Sequence, residues 1–149
     1  MLIYLIGSLR NPEVPRVAAQ IRAAAFNVFD EWYAAGEFAD NSWRDYEKAR
    51  GHNLPEALKG EAARHVFEFD KKWLIAADAV VLISPAGKSA HIELGWALGQ
   101  GKPGFVLLDN DPDRYDVMLM FATGVATTID ELLRMLRGAD MRRACENRI

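Results

Sequence analysis

The chain has 149 residues, a length that fits one domain with a sizeable hydrophobic core. Half of the residues are hydrophobic, and the formal net charge of −3 at pH 7 argues against a nucleic acid polymer as a partner. The single cysteine and the lack of an apolar run of membrane-spanning length favour a cytoplasmic protein without a disulfide framework or a membrane partner.

The first half of the chain is predicted to contain a buried strand, a long helix and an irregular stretch. Leu2–Ile6 is a continuous apolar run before a Gly-Ser pair, which is typical of a strand buried on both faces. Apolar residues then recur at helical spacing, which predicts a helix over residues 14–34 that Gly36 closes. Residues 37–60 are weakly periodic, and we interpret them as a lid-like excursion with one or two short helices.

The second half of the chain alternates between helices and strands. We predict helices at 61–77 (or starting from 55), 90–101 and 129–136, strands at 79–83, 104–108 and 125–126, and a short element at 118–121. This alternation predicts an α/β fold, in which helices cover both faces of a parallel sheet in a single domain. We expect the last helix to end at Gly138, so that residues 1–138 form the domain and residues 139–149 a tail.

Ligand-binding residues are expected where the carboxyl ends of the parallel strands meet. Three segments should converge there: residues 7–10, residues 84–89 and the segment that begins at Asp109. The candidate binding residues in the first two segments are Gly7, Ser8, Arg10, Gly87, Lys88 and Ser89. The eight-residue glycine pattern of a P-loop is absent, so these residues do not form that phosphate site.

Glu93 is the first candidate for chemistry. It follows a turn of small residues, and we expect it in the first turn of the next helix, where backbone amides and the helix dipole stabilise an anion. An ionised carboxylate aimed at the ligand crevice could attack an anomeric carbon. The alternative is an ordinary acidic residue at a helix N-terminus.

Asp70 and Tyr4 are the second and third candidates. Asp70 lies on the predicted apolar stripe of its helix together with Val66, Phe67 and Leu74, and burial there would raise its pKa and suit it for proton transfer. The alternative is a structural aspartate that caps a backbone amide or pairs with a lysine or arginine. Tyr4, in the first strand, could orient a carboxylate through its hydroxyl or be an ordinary core residue.

The three histidines predict no metal site, because His52, His65 and His91 lack the spacing of metal ligands. His91, two residues before Glu93, points to a different face of the helix, and we interpret it as a structural hydrogen-bonding residue.

Three segments in order resemble the nucleoside 2-deoxyribosyltransferase family and the related nucleoside 5′-monophosphate N-glycosidases. They are residues 3–10, Phe69-Asp70 followed by residues 77–81, and residues 89–103. The last contains Glu-Leu-Gly-x-Ala-x-x-x-Gly-Lys, the most specific of the three patterns. The resemblance implies a Rossmann-like (flavodoxin-like) fold, no cofactor, and a homodimer or larger homo-oligomer.

The resemblance also implies roles for the three candidates. By position, Glu93 is the nucleophile that forms a covalent glycosyl–enzyme intermediate, Asp70 handles the proton of the leaving base, and Tyr4 holds the nucleophile. The implied substrates are a (deoxy)nucleoside or nucleotide and a free nucleobase, to which the sugar is transferred. Two alternatives remain open: hydrolysis alone, on a 5′-monophosphate, and a non-catalytic nucleotide-binding module.

Two positions depart from the pattern of the transferases. Gly87 stands where many of them have an aspartate that contacts the base, and residues 116–120 stand where they have an asparagine that reaches the sugar in the neighbouring subunit. Met120 in this stretch is therefore a candidate substrate contact. The turn at residues 7–10 is closer to the nucleotide hydrolases, in which a serine-rich loop and an arginine meet the 5′-phosphate.

Overall fold

Five parallel strands form one sheet in the computed structural model, which describes residues 1–108, 110–113 and 115–146. The strands are β1 (Leu2–Ile6), β2 (Asn27–Phe29), β3 (Ala79–Ile83), β4 (Gly104–Leu107) and β5 (Gly124–Ala126). Their order across the sheet is β2-β1-β3-β4-β5, the flavodoxin-like order in which the chain changes direction between β1 and β3. The predicted fold class is therefore confirmed.

Six α-helices and two 3₁₀ helices connect the strands. They are α1 (Glu13–Ala23), the first 3₁₀ helix (Glu31–Ala35), α2 (Ala39–Ala49), α3 (Leu54–Ala57), α4 (Glu61–Ala76), α5 (Lys88–Gly99), the second 3₁₀ helix (Val117–Phe121) and α6 (Ile129–Glu146). Helices α1 and α6 cover one face of the sheet, and α4 and α5 cover the other. Across the described part of the chain, no helix is both long enough and apolar enough to cross a lipid bilayer.

The alternation of side chains along β1 divides the core into two layers. Ile3 and Leu5 pack with α1 and α6, whereas Tyr4 and Ile6 pack with α4 and α5. Because successive residues of a strand point to opposite faces, the Tyr4 side chain must enter the layer that also contains α4 and α5.

The predicted helix over residues 14–34 is wrong, because α1 ends at Ala23 and an edge strand follows. A tight turn intervenes, in which Ala25 adopts a positive φ of 68°. Val28 and Phe29 then pair with β1 rather than continuing the helix. The alanine-rich sequence favours a helix locally, but pairing with β1 and burial of Phe29 stabilise the strand.

Two further expectations about the helices are corrected. Val66 and Phe67, predicted on the buried stripe of α4, are both 59% exposed, and only the C-terminal half of the helix packs on the sheet through Leu74. The final helix does not end at Gly138 but continues to Glu146, with Ala139 buried. A single glycine costs a helix only about 1 kcal/mol, which the packing of α6 on the sheet offsets.

Lys102 joins the C-terminal ends of α4 and α5. Its Nζ donates hydrogen bonds to the carbonyl oxygens of Ile75, at 2.8 Å, and Ala77, at 2.6 Å. Its backbone N–H donates to the carbonyl oxygen of Ala97 in α5, at 3.1 Å. The last carbonyls of a helix lack partners within the helix, so the lysine ammonium caps α4 and complements its dipole.

Replacing Lys102 by Met keeps the apolar part of the side chain and removes the cap. We expect the free energy of unfolding, measured by urea denaturation, to fall by about 1 to 2 kcal/mol. Lys59→Met, at an exposed position, is the matched control and should change stability little. Equal stability of the Lys102 and Lys59 variants would contradict the capping role.

Candidate active site

Three ionisable side chains from three elements come together between the sheet and its α4–α5 layer. Tyr4 comes from β1, Asp70 from α4 and Glu93 from α5. They are close enough for their charges to interact: Asp70 and Glu93 both act on Tyr4, and Asp70 acts on Glu93. The structure thus brings together the three residues selected from the sequence as candidates for chemistry.

Burial changes the acidity of all three groups. It raises the pKa of Asp70 to about 6, and together with the charge of Asp70 it raises the pKa of Glu93 to about 7. Burial, followed by the charges of Glu93 and Asp70, raises the pKa of Tyr4, so this side chain is a neutral phenol at any physiological pH. Because the two carboxyls interact, they titrate as a pair rather than as independent groups.

The Oδ1 atom of Asp70 is buried and has no hydrogen-bond partner in the described part of the chain. Buried polar atoms are nearly always paired in folded proteins, so an unpaired carboxyl oxygen is a group available to a ligand. No hydrogen bond within the described residues joins the Tyr4 hydroxyl to Glu93 or Asp70 either. The alternative considered for Asp70, an aspartate that caps a backbone amide or pairs with a lysine or arginine, does not fit this environment.

Aromatic rings line the apolar side of this cluster. Phe29 stacks on Tyr4 with ring centroids 5.3 Å apart and on Trp73 at 4.7 Å, and it meets Phe69 at 5.8 Å. Phe69 and Trp73 lie beside Asp70 on α4, so the rings contribute to its desolvation. Sequence analysis missed Phe29, because it placed this residue in a helix rather than in β2.

The position of Glu93 within its helix differs from the prediction. Helix α5 begins at Lys88 after Gly87, so Glu93 lies in the second turn and no acidic residue occupies the first. The unpaired amides of a helix N-terminus belong to its first turn, and they do not offset the burial of Glu93. The carboxylate predicted to be held ionised by the helix therefore has a raised pKa instead.

The candidate binding residues lie on two adjacent loops at the carboxyl ends of β1 and β3. These strands pair directly, up to Ile6 opposite Leu82. Gly7, Ser8 and Arg10 follow β1, while Gly87, Lys88 and Ser89 form the start of α5 and are all exposed. The edge of the sheet thus carries two exposed cations, Arg10 and Lys88, next to a helix N-terminus.

The first of these loops is tightly packed at Gly7. A Cβ atom there would lie 3.0 Å from a methyl carbon of Val14 and 3.5 Å from the Trp32 ring. The indole N–H of Trp32 donates to the carbonyl oxygen of Leu5 at 2.8 Å, which fixes the ring beside the end of β1. A larger residue at this position would therefore have to displace the Val14 side chain by a few tenths of an ångström.

Met120 is separated from the cluster of Tyr4, Asp70 and Glu93. It lies on the second 3₁₀ helix and is 88% exposed. Between this helix and α5 runs an open groove of about 1100 Å³, lined by apolar side chains such as Leu98 and Leu119 but not by Glu93. Met120 does not line this groove either, and the predicted segment from Asp109 begins at a residue outside those described.

The histidine nearest to Glu93 in sequence, His91, has a structural role. His91 Nδ1 forms a hydrogen bond of 2.8 Å with the carbonyl oxygen of Gly87, in agreement with the predicted structural role. In the described ranges, no group of three His, Cys, Asp or Glu residues is arranged to hold a metal ion.

The fold and the cluster define an α/β protein with a half-buried carboxyl pair near the carboxyl edge of its sheet. Comparison with known proteins finds the same fold in solved structures that include two enzymes. No protein-family model and no curated protein sequence matches the chain. The 2-deoxyribosyltransferase of Bacillus psychrosaccharolyticus has 20% sequence identity over 89% of this chain and 90% of its own, with a TM-score of 0.60. The CMP N-glycosidase BcmB of Clostridium botulinum has 13% identity over 92% of this chain and 99% of its own, with a TM-score of 0.55. The chain shares the fold of both.

Replacing Glu93 by Gln should stabilise the protein at alkaline pH. The pKa of Glu93 in the folded state, about 7, lies above its usual value of 4.5, so the folded protein binds this proton more tightly than the unfolded chain does. The resulting stability is fully present below pH 4.5 and is lost as the pH rises through 7. At pH 8 we expect Glu93→Gln to raise the free energy of unfolding by about 1 to 3 kcal/mol.

The measurement is urea denaturation at pH 5 and pH 8, with Glu37→Gln at an exposed position as the control. The gain in the free energy of unfolding from Glu93→Gln should be much smaller at pH 5 than at pH 8. Glu37→Gln should have the same stability as the parent at both pH values. A Glu93→Gln variant less stable than the parent at pH 8 would contradict the unpaired, partly desolvated state of this half-buried carboxyl.

Proposed function

We propose that this chain is an enzyme of the nucleoside 2-deoxyribosyltransferase type, which cleaves the N-glycosidic bond of a (deoxy)nucleoside or nucleotide. The observation that carries the proposal is the pairing of two desolvated carboxyls, Asp70 and Glu93, with a neutral Tyr4. Glycosyl transfer with a covalent intermediate needs one carboxylate as nucleophile and one carboxylic acid as proton donor. The shared fold with a deoxyribosyltransferase and a CMP N-glycosidase supports the same chemistry.

The proposed reaction has two displacements. In the first, an oxygen of ionised Glu93 bonds to the anomeric carbon while the bond from that carbon to the base nitrogen breaks. Asp70 donates its proton to the departing base, directly or through a water molecule. In the second, another base or a water attacks the anomeric carbon, Asp70 receives the proton of the attacking group, and Glu93 is released.

The reactive form of the pair carries one proton, and that proton is on Asp70. With pKa values of about 6 and 7, the coupled pair holds a single proton mainly between these pH values. Because the pKa of Glu93, about 7, lies above that of Asp70, about 6, the single proton resides mainly on Glu93 in the free enzyme. A base nitrogen that accepts a hydrogen bond from Asp70 favours the form in which the proton is on Asp70 and Glu93 is ionised. Tyr4 remains protonated and can donate a hydrogen bond to ionised Glu93, which holds the nucleophile in place.

The ligand edge supports a substrate with an anionic 5′ end. Arg10, Lys88, Ser8 and Ser89 supply two cations and two hydroxyls at the ends of adjacent strands. Charge-assisted hydrogen bonds of this kind suit a phosphate. This arrangement favours the second candidate function, hydrolysis of a nucleoside 5′-monophosphate. Position 87 is a glycine, so the chain lacks the aspartate with which many transferases contact the base, and this also favours hydrolysis over transfer to a second base.

The remaining proposals concern the working form of the enzyme. We assign a cytoplasmic homodimer or larger homo-oligomer that needs no cofactor or metal, with a catalytic domain that extends beyond the predicted boundary at residue 138, because α6 continues to Glu146 and Ala139 is buried. Val117, Met118, Met120 and Phe121 expose apolar side chains on the second 3₁₀ helix, as expected for a surface that contacts another subunit. In the oligomer, Met120 would reach the substrate of the neighbouring subunit. A non-catalytic nucleotide-binding module would not require the carboxyl pair.

Substrate and reaction are tested together with a panel of deoxynucleosides and their 5′-monophosphates, each with and without an excess of a second base. A new nucleoside formed only with the added base establishes transfer, and free base released without it establishes hydrolysis.

We expect Glu93→Gln to lower kcat by about 10³-fold or more, because no other group replaces the nucleophile. The control, Glu37→Gln, should keep the activity of the parent. Turnover by Glu93→Gln within a few-fold of the parent would rule out the mechanism.

The pH dependence of kcat/KM should be bell-shaped, with its maximum between the pKa values of about 6 and 7. In Asp70→Asn, the residual activity should lose the alkaline limb, because no acid remains to be deprotonated. Its acidic limb should move to lower pH, because the charge of Asp70 no longer raises the pKa of Glu93. A flat profile between pH 5 and pH 9 in the parent would contradict these assignments.

A further inference from the structure

We propose that Asn11 is a positioning residue, which sets the distance between the loop after β1 and the loop before α5 and thereby controls binding of the 5′ end of the substrate. This inference rests on the proposed function, because it concerns the same site. Neither the sequence pattern nor the resemblance to the transferases singles out this residue.

Asn11 is a buried polar residue, and both the oxygen and the nitrogen of its side-chain amide form hydrogen bonds. It is 4% exposed. Its Oδ1 accepts a hydrogen bond from the backbone N–H of Glu13 at 3.0 Å, which forms a local turn that leads into α1. Its Nδ2 donates to the carbonyl oxygen of Pro85 at 3.4 Å, at the long end of the hydrogen-bonding range.

The primary amide of Asn11 satisfies both partners at once, because it has one donor and one acceptor group. The Glu13 N–H requires an acceptor and the Pro85 carbonyl requires a donor, so the orientation of the Asn11 amide is fixed by its surroundings. An aspartate would keep the hydrogen bond from the Glu13 N–H but would place a second acceptor against the Pro85 carbonyl oxygen. An alanine would lose both bonds and leave buried backbone groups without these partners.

The two loops that Asn11 connects carry the candidate binding residues. Its backbone N–H donates to the carbonyl oxygen of Ser8 at 2.9 Å, and the Ser8 hydroxyl in turn accepts from the backbone N–H of Arg10 at 3.2 Å. On the other side, Pro85 lies two residues before Gly87, which precedes the first residue of α5. One side chain therefore fixes the separation of Ser8 and Arg10 from Lys88.

The carboxyl pair lies outside this connection. Glu93 is in the second turn of α5, and Asp70 is on α4, which Asn11 does not contact through any of these hydrogen bonds. Loss of the Asn11–Pro85 bond should therefore change the binding of the 5′ end more than the chemical step. An effect on KM for a 5′-monophosphate, with kcat nearly unchanged, distinguishes positioning from a general loss of stability.

The first test compares Asn11→Asp with Asn27→Ala, an exposed control on β2. We measure kcat and KM for a nucleoside 5′-monophosphate and for the matching nucleoside. Asn11→Asp should raise KM for the monophosphate about tenfold or more, with kcat within about threefold and a smaller change in KM for the nucleoside. Equal changes for both substrates, or an unchanged KM for the monophosphate, would overturn the proposal.

The second test needs no turnover and separates this proposal from the proposed function. Hydrogen–deuterium exchange is measured in Asn11→Asp and Asn11→Ala on peptides that cover residues 7–11 and 84–92, with α6 as the internal reference. Faster exchange in both loops and unchanged exchange in α6 is the expected result. If the parent cleaves no substrate while both loops loosen, the proposed function fails and the connection between the loops stands. If the parent is active and the loops exchange as before, the role of Asn11 is wrong.

Discussion

The constraint on which the site depends is the desolvation of two carboxyls beside a strand whose side chains alternate between two layers. Tyr4 must enter the α4–α5 layer because Ile3 and Leu5 fill the other. Asp70 and Glu93 enter the same layer from two helices, where burial raises the pKa of both. The protein accepts this loss of stability at neutral pH, and the result is a pair that exchanges a proton in the pH range in which enzymes work.

The site divides its tasks between elements of different character. The groups assigned to chemistry lie on helices and a central strand, which hold them rigidly, and the groups assigned to ligand binding lie on the loops at the carboxyl edge. Asn11 connects those loops, and Trp32 and Gly7 fix the backbone of the first one. The open groove beside α5 has a different origin: between β4 and β5 the chain forms a 3₁₀ helix instead of an α-helix that would cover the sheet.

Sequence patterns predicted the central strands and the raised pKa of Asp70, but not the raised pKa of Glu93. Strands β1, β3 and β4 are continuous apolar runs, and a buried parallel strand has no other signature. Strand β2 is three residues long and follows a run of alanines, whose local propensity favours a helix. Its strand conformation depends on pairing with β1, which the local sequence does not reveal. Because α5 starts at Lys88, Glu93 lies outside the first turn of the helix, where the helix dipole would have kept the carboxylate ionised. The pKa of Glu93 is therefore raised rather than lowered. Val66 and Phe67 are exposed because the N-terminal half of α4 extends beyond the sheet. The spacing of apolar residues along a helix does not indicate how much of the helix packs on the sheet.

The central claim is that Glu93 becomes covalently bonded to the sugar, and trapping that species tests it most directly. The parent is mixed with a cleavable deoxynucleoside or its 5′-monophosphate, quenched in acid during turnover, digested and analysed by mass spectrometry. The account predicts a peptide from α5 heavier by one glycosyl group at Glu93, which disappears after substrate is exhausted and is absent in Glu93→Gln. Turnover with the glycosyl group on another residue, or with Glu93 unmodified at every quench time, would contradict it.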